Sequence, residues 1–262
     1  MITSEVSFLG PLDIRVNGRS VVPTAKKLRQ VLALLAVHAG RLVTVPELIE
    51  ELWGTKVPRT AIQTIQTYIL KLRQKISEHA PAGTAMAVLT TRPGGYLLDV
   101  APGQVDAHRY QELADAGERA FAADDFAGSS RLLGKALGCW RGPALVDVPF
   151  GIQLSIEATR LDQGRLGVLE TQIESDLRLG RHHQLLGELA ELTARYPMHE
   201  KLCGQYMTAL HASGMKWRAL EAFQTLRGNL VHELGVEPSL QVRDLQQAIL
   251  NSDELHAPQL VS

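Results

Sequence analysis

Between Val57 and Ser77 the chain has no carboxylate, although acidic residues slightly outnumber basic ones in the whole sequence, 28 against 27. Other scarcities exclude whole classes. Only two cysteines occur, Cys139 and Cys203, and neither belongs to a CxxC pair. That pattern excludes a disulfide framework or a cysteine-based zinc site and fits small buried thiols in a reducing compartment. The longest unbroken apolar run, Val31 to Val37, is too short to cross a bilayer. No basic segment followed by an apolar one opens the chain, so a cytoplasmic location without a membrane partner is expected. A GxxxxGK loop followed by Ser or Thr is also absent, which argues against a nucleotide-hydrolysing module. Catalytic groupings are equally thin. The adjacent His182 and His183 diverge by about 100° on a helix and have no ligand partner at useful spacing. Asp124-Asp125 fits a helix cap at Asp125 better than an acid/base pair, and Trp140 and Trp217 fit core anchors better than stacking platforms. No enzyme, metal site or cofactor is expected.

Against this background the segment from Pro58 to Ser77 stands out. Ile62, Ile65, Ile69, Leu72 and Ile76 recur at spacings of three and four, which predicts one buried helical stripe. The opposite face carries Gln63, Thr67, Lys71 and Gln74, with Thr60 and Thr64 beside them. A solvent-facing helix ordinarily mixes both charge signs. Amides, hydroxyls and cations without acids suit phosphates and base edges, because they donate hydrogen bonds and repel no anion. Charge is also unevenly distributed. Residues 1–100 carry 12 Lys and Arg against 7 Asp and Glu, while the remaining 162 carry 15 against 21. One half is therefore expected to meet a polyanion and the other to do something else.

Around that segment the chain reads as strands, three helices and a hairpin. Short β-prone runs at Val6–Leu9, Leu12–Val16 and Val21–Val22 are punctuated by Gly10-Pro11 and Asn17-Gly18. A first helix is predicted from Thr24 to His38, burying Leu28, Val31, Leu32, Leu35 and Ala36. A second starts at the Thr44-x-x-Glu47 capping box and runs to about Trp53. Thr60 is expected to cap the third in the same way. Val88–Thr91 and Gly95–Val100 then make a hairpin around Arg92-Pro93-Gly94. This order is that of a winged helix-turn-helix, whose third helix enters the major groove while the hairpin tip reaches the neighbouring minor groove.

TAKKLRQVLALLAVHAG, IQTIQTYILKLRQKI and TTRPGGYLL resemble the amino-terminal domain of the Streptomyces antibiotic regulatory proteins, itself similar to the winged-helix domain of response regulators. The resemblance implies base-edge positions for Gln63, Thr67 and Lys71, with Thr64 and Tyr68 flanking. It places Arg73 at a phosphate-contacting position and Thr90 and Arg92 in the wing. Lysine stands at 71 where response regulators often carry arginine, which weakens any bidentate guanine contact. Lys26, Lys27, Arg59 and Lys75 are further expected phosphate contacts.

Residues 101–105 read as a short linker, and from Asp106 to Leu250 only helical patterns recur. Seven helices are expected: His108–Ala123, Phe126–Trp140, Ile152–Leu179, His182–Arg195, His199–Ser213, Lys216–Leu234 and Ser239–Ile249. Gly180 and Gly214 lie 34 residues apart, and the same shift pairs Leu186 with Leu220, Leu189 with Phe223 and Leu192 with Leu226. That period is the tetratricopeptide one. CWRGPALVDVP and ELGVEPSLQVRDLQQAIL resemble the bacterial transcriptional activation domain of the same family. The expected organisation is therefore mainly α: a winged-helix domain over 1–100, the linker, an all-α tetratricopeptide-like repeat domain over 106–250, and a tail from 251 to 262. The resemblance implies an activator of a specialised-metabolite gene cluster. Such an activator binds direct repeats near the −35 region of promoter DNA, recruits RNA polymerase through its sigma factor, and sits as two copies on DNA. A helical-repeat adaptor for a protein partner and a ligand-gated regulator are the alternative readings.

Overall fold

The computed structural model of the protein describes residues 4–79 and 84–252. Three short strands, β1 (Ser4–Ser7), β2 (Asp13–Val16) and β3 (Arg19–Ser20), form an antiparallel sheet in chain order. The turn between β2 and β3 holds Asn17 and Gly18 at positive φ, 52° and 78°. Asn and Gly tolerate that region, so this dipeptide fixes the reversal. Strand β1 starts two residues before the apolar run Val6–Leu9, β2 is one residue shorter than Leu12–Val16, and β3 precedes Val21-Val22 instead of containing them.

Helices α1 (Lys26–Val37), α2 (Val45–Trp53) and α3 (Ala61–Ser77) follow. All five apolar residues expected to face inward on α1 are buried. The Thr44 capping box forms as expected: the Thr44 amide and hydroxyl donate to Glu47 Oε2 at 2.7 and 2.8 Å, and the Glu47 amide donates back to Thr44 Oγ1 at 3.3 Å. These two donors hold the Glu47 carboxyl below its ordinary range. Thr60 stands at the N-cap of α3, but its side chain makes no capping hydrogen bond.

Two elements carried no clear sequence signal. Strand β4 (Leu42–Thr44) has only three residues, and helix α4 (Thr84–Val88) only five. The wing strands β5 (Leu89–Arg92) and β6 (Gly95–Leu98) pair antiparallel, and β6 also pairs with β4, giving the order β4-β6-β5. Gly95 is required at that junction, because a Cβ there would lie 2.1 Å from Val43 O.

The remaining helices are α5 (Asp106–Ala122), α6 (Phe126–Leu137), α7 (Ile152–Arg178), α8 (His182–Arg195), α9 (Glu200–Ala212), α10 (Lys216–Leu234) and α11 (Leu240–Asn251). They match the seven expected, and α8 and α10 match at both ends. Gly180 and Gly214 both adopt positive φ, 76° and 77°, each two residues before the start of one of these two equivalent helices. Asp125 caps α6 through the Gly128 amide at 2.8 Å. Trp140 is buried, edge-on to Tyr110. Trp217 is 68% exposed and is not a core anchor, because it sits in the first turn of α10 away from the buried stripe of Ala219, Phe223, Leu226 and Leu230.

The chain divides into two compact units, one comprising residues up to 116 together with 132–168, the other 117–131 together with 169 onward. The first unit joins the winged helix to the loop and helices that follow it. Its single core runs from Val6, Leu9 and Ile14 through Leu32, Ile65 and Leu98 to Leu133, Trp140, Leu145 and Leu161. The connector is packed into it: Pro102–Gln104 is a 3-10 turn, and the buried Val105 bridges to Val6. Asp106 accepts from the Phe8 and Leu9 amides at 2.9 and 3.0 Å. Burial pushes its carboxyl up, against the opposing pull of those amides and of Arg141. Asp147 accepts the Leu12 amide at 2.8 Å and Arg29 Nη1 at 3.0 Å.

The tightest joint is at Glu51, a carboxylate only 2% exposed. Its oxygens accept Gly151 N at 2.6 Å, Leu154 N at 3.1 Å and Gln30 Nε2 at 2.8 Å. The acid on α2 thus satisfies amides at the start of α7 that have no partner within their own helix. In the second unit, the 34-residue shift brings Leu189, Phe223 and Leu226 into the interior.

Candidate nucleic-acid interface

Helix α3 presents the candidate site. Ala61, Ile65, Ile69, Leu72 and Ile76 are buried, and the helix packs on α1, α2 and α4. Ile62 departs from the expected stripe and is 53% exposed. The helix begins only at Ala61, so its first turn overhangs the core and Ala61 takes the inward position. Gln63, Thr67 and Lys71, spaced four apart, lie exposed along one line, with Gln74 beyond them. The face free of acids is therefore turned to solvent. Two exposed residues on its flank were missed, Gln66 and Leu70. Leu70 is apolar yet exposed, and its offset from the buried stripe is the one sequence signal that marks it.

The hydroxyls on this helix are partly committed. Thr67 Oγ1 donates to Gln63 O at 2.8 Å and Thr64 Oγ1 to Thr60 O at 2.9 Å. Each oxygen keeps lone pairs for an incoming donor, and each methyl is free for apolar contact. Tyr68 is half-buried and packs against the core, leaving it a flanking position.

Three of the expected contacts serve the protein's own scaffold. Arg73 donates from Nε and Nη2 to Leu89 O at 2.9 and 2.8 Å, and from Nη2 to Thr91 Oγ1 at 2.8 Å. These bonds fasten the wing to α3. Lys27 Nζ donates to Leu52 O, tying α1 to the end of α2. Thr90 Oγ1 donates to Met86 O and Ala87 O at 3.3 and 3.2 Å, within the connection into the wing. Arg92, by contrast, is exposed at the tip, where Gly94 at φ 83° makes the turn. Lys26 and Arg59 are exposed and Lys75 is half-buried. Among the described residues no group of three or more His, Cys, Asp or Glu could hold a metal ion. No helix among them is long and apolar enough to cross a membrane.

A helix with an open, acid-free face beside a β-hairpin with an arginine at its tip defines the winged-helix class of nucleic-acid-binding domains. The comparisons with known proteins agree. Residues 18–98 match the family described as transcriptional regulatory protein, C terminal, and residues 105–250 match the bacterial transcriptional activator domain. Regulatory protein DnrI of Streptomyces peucetius is 51% identical over 252 residues, covering 95% of this chain and 93% of that protein. Regulatory protein AfsR of Streptomyces coelicolor is 36% identical over 94% of this chain, which spans 24% of AfsR. A solved structure of Mycobacterium tuberculosis EmbR in complex with a low-affinity phosphopeptide superposes with a TM-score of 0.88 at 31% identity, covering 96% of this chain and 66% of that one. The chain belongs to the Streptomyces antibiotic regulatory protein family and is a transcriptional regulator, not an enzyme.

Proposed function

We propose that the protein binds promoter DNA of a specialised-metabolite gene cluster in the cytoplasm and activates its transcription. Helix α3 enters the major groove with Gln63, Thr67 and Lys71 at base edges, and Thr64 and Tyr68 flank them. Arg92 reaches the adjacent minor groove, while Lys26, Arg59 and Lys75 lie against phosphates. Arg73, Lys27 and Thr90 act indirectly, by fixing the wing and the helices. Two copies occupy direct repeats near the −35 region in head-to-tail order and recruit RNA polymerase through its sigma factor. Residues 1–100 supply the DNA contacts and 106–250 the contacts with the second copy and with polymerase, joined at 101–105.

The observation that carries this proposal is the outward orientation of Gln63, Thr67 and Lys71 on a helix face without a carboxylate. The test is a gel-shift titration on promoter fragments from the neighbouring genes at several salt concentrations. Lys71→Ala is expected to cost about 1–3 kcal/mol on the cognate fragment and little on unrelated DNA. Arg92→Ala is expected to weaken every sequence and flatten the salt dependence. Wild-type behaviour by both variants would overturn the assignment.

A further inference from the structure

The second unit contains a cavity of about 430 Å³, within the range of small-molecule sites. It lies between α8 and α10, the two helices related by the 34-residue period, over α9. Its walls have a definite chemistry. Ala190 and Ala194 on α8 and Ala222 on α10 line it, along with Tyr196 and Tyr206. Three alanines stand where longer side chains would close the gap, whereas Leu189 and Phe223 fill the neighbouring interior and the buried Leu226 adds to the lining. Cys203 also lines the space, and burial pushes its thiol up to about 12, so that wall stays neutral at physiological pH.

Charged side chains stand at one end of the α10 wall, Arg218 and Glu221. Arg218 donates to Tyr206 Oη at 3.3 Å and to Met215 Sδ at 3.6 Å. A guanidinium with unspent donors beside aromatic rings favours an anionic group on a flat apolar body. Glu221 lies three residues further along α10 and is exposed. Its carboxylate, one turn from Arg218 on the same face, opposes a second negative charge, so the ligand carries a single acid group, held by Arg218.

We propose that this groove binds one aromatic organic anion, a carboxylate or sulfonate on a ring system, with the rings between the α8 and α10 alanines and the acid on Arg218. The inference concerns the helical unit alone and stands or falls independently of the DNA assignment.

The test uses the whole chain and two dyes, 8-anilinonaphthalene-1-sulfonate and its uncharged counterpart N-phenyl-1-naphthylamine. Wild type is expected to bind one equivalent of the sulfonate saturably, with a rise in fluorescence. Arg218→Gln should weaken the sulfonate at least tenfold and leave the uncharged dye unchanged. Ala222→Leu should abolish binding of both while preserving the helical circular dichroism; if that variant unfolds, the comparison of the two dyes on Arg218→Gln decides alone. No saturable binding by wild type, or equal affinity of wild type and Arg218→Gln for the sulfonate, would overturn the proposal.

Discussion

Replacing Glu51 by Ala removes the acceptor at the tightest joint of the first unit. The carboxylate serves three donors, Gly151 N, Leu154 N and Gln30 Nε2, and is almost fully buried. Hydrogen bonds to a charged group contribute roughly 1.5–3 kcal/mol each, but donors that share one acceptor are not additive. The two α7 amides would be left without their partner, whereas Gln30 Nε2 keeps its bond to Glu51 O at 2.8 Å, and the loss is partly offset by the relief of desolvating the acid. A net loss on the order of 3 kcal/mol is expected. With a urea dependence of about 2 kcal/mol per molar, this lowers the unfolding midpoint by about 1.5 M. Trp53 and Trp140, both in this unit, report the transition by fluorescence. Gly151→Ala provides an independent route to the same joint, because its Cβ would sit 2.0 Å from Glu51 O. The double variant should lose much less than the sum of the two single losses. A Glu51→Ala midpoint within about 0.3 M of wild type, or additive losses, would refute the joint as described.

Two further outcomes follow from the scaffold contacts. Arg73→Ala should loosen β5, seen as faster amide exchange in the wing, and should weaken specific and non-specific DNA alike, because it removes no base contact. The Thr44–Glu47 box should contribute stability at neutral pH. With a folded-state pKa below the unfolded value of about 4.3, the contribution of Glu47 is present above that pH and disappears as pH falls through the folded value. Glu47→Gln should therefore unfold more readily than wild type at pH 7, with the difference shrinking in acid melts.

The local elements were legible because their signals are local. The capping box at Thr44, the spacing of Ile65, Ile69, Leu72 and Ile76, and the Gly180 and Gly214 pair each depend on neighbours within a turn or a repeat. Less legible are the residues whose environment is set from afar. Arg73 meets Leu89 O sixteen positions later, and no periodicity reports that a strand will return to it. Glu51 resembles a surface acid beside Glu50; its burial depends on the start of a helix a hundred residues onward. Ile62 and Trp217 fail for a different reason. Both stand in the first turn of a helix, where an apolar residue can extend past the surface it was expected to cover. Strand β4 was missed because three residues give too little alternation to distinguish a strand from a loop.

The most direct measurement of the central claim is cleavage of promoter DNA from a probe fixed to the outward face of α3. Iron-EDTA attached to a Lys71→Cys, Cys139→Ser variant, with the buried Cys203 retained, should cut within each repeat, centred on the major groove of the protected site. Cleavage absent from the repeats with the α3 probe, while the labelled protein still binds, would contradict the placement of α3 in the major groove.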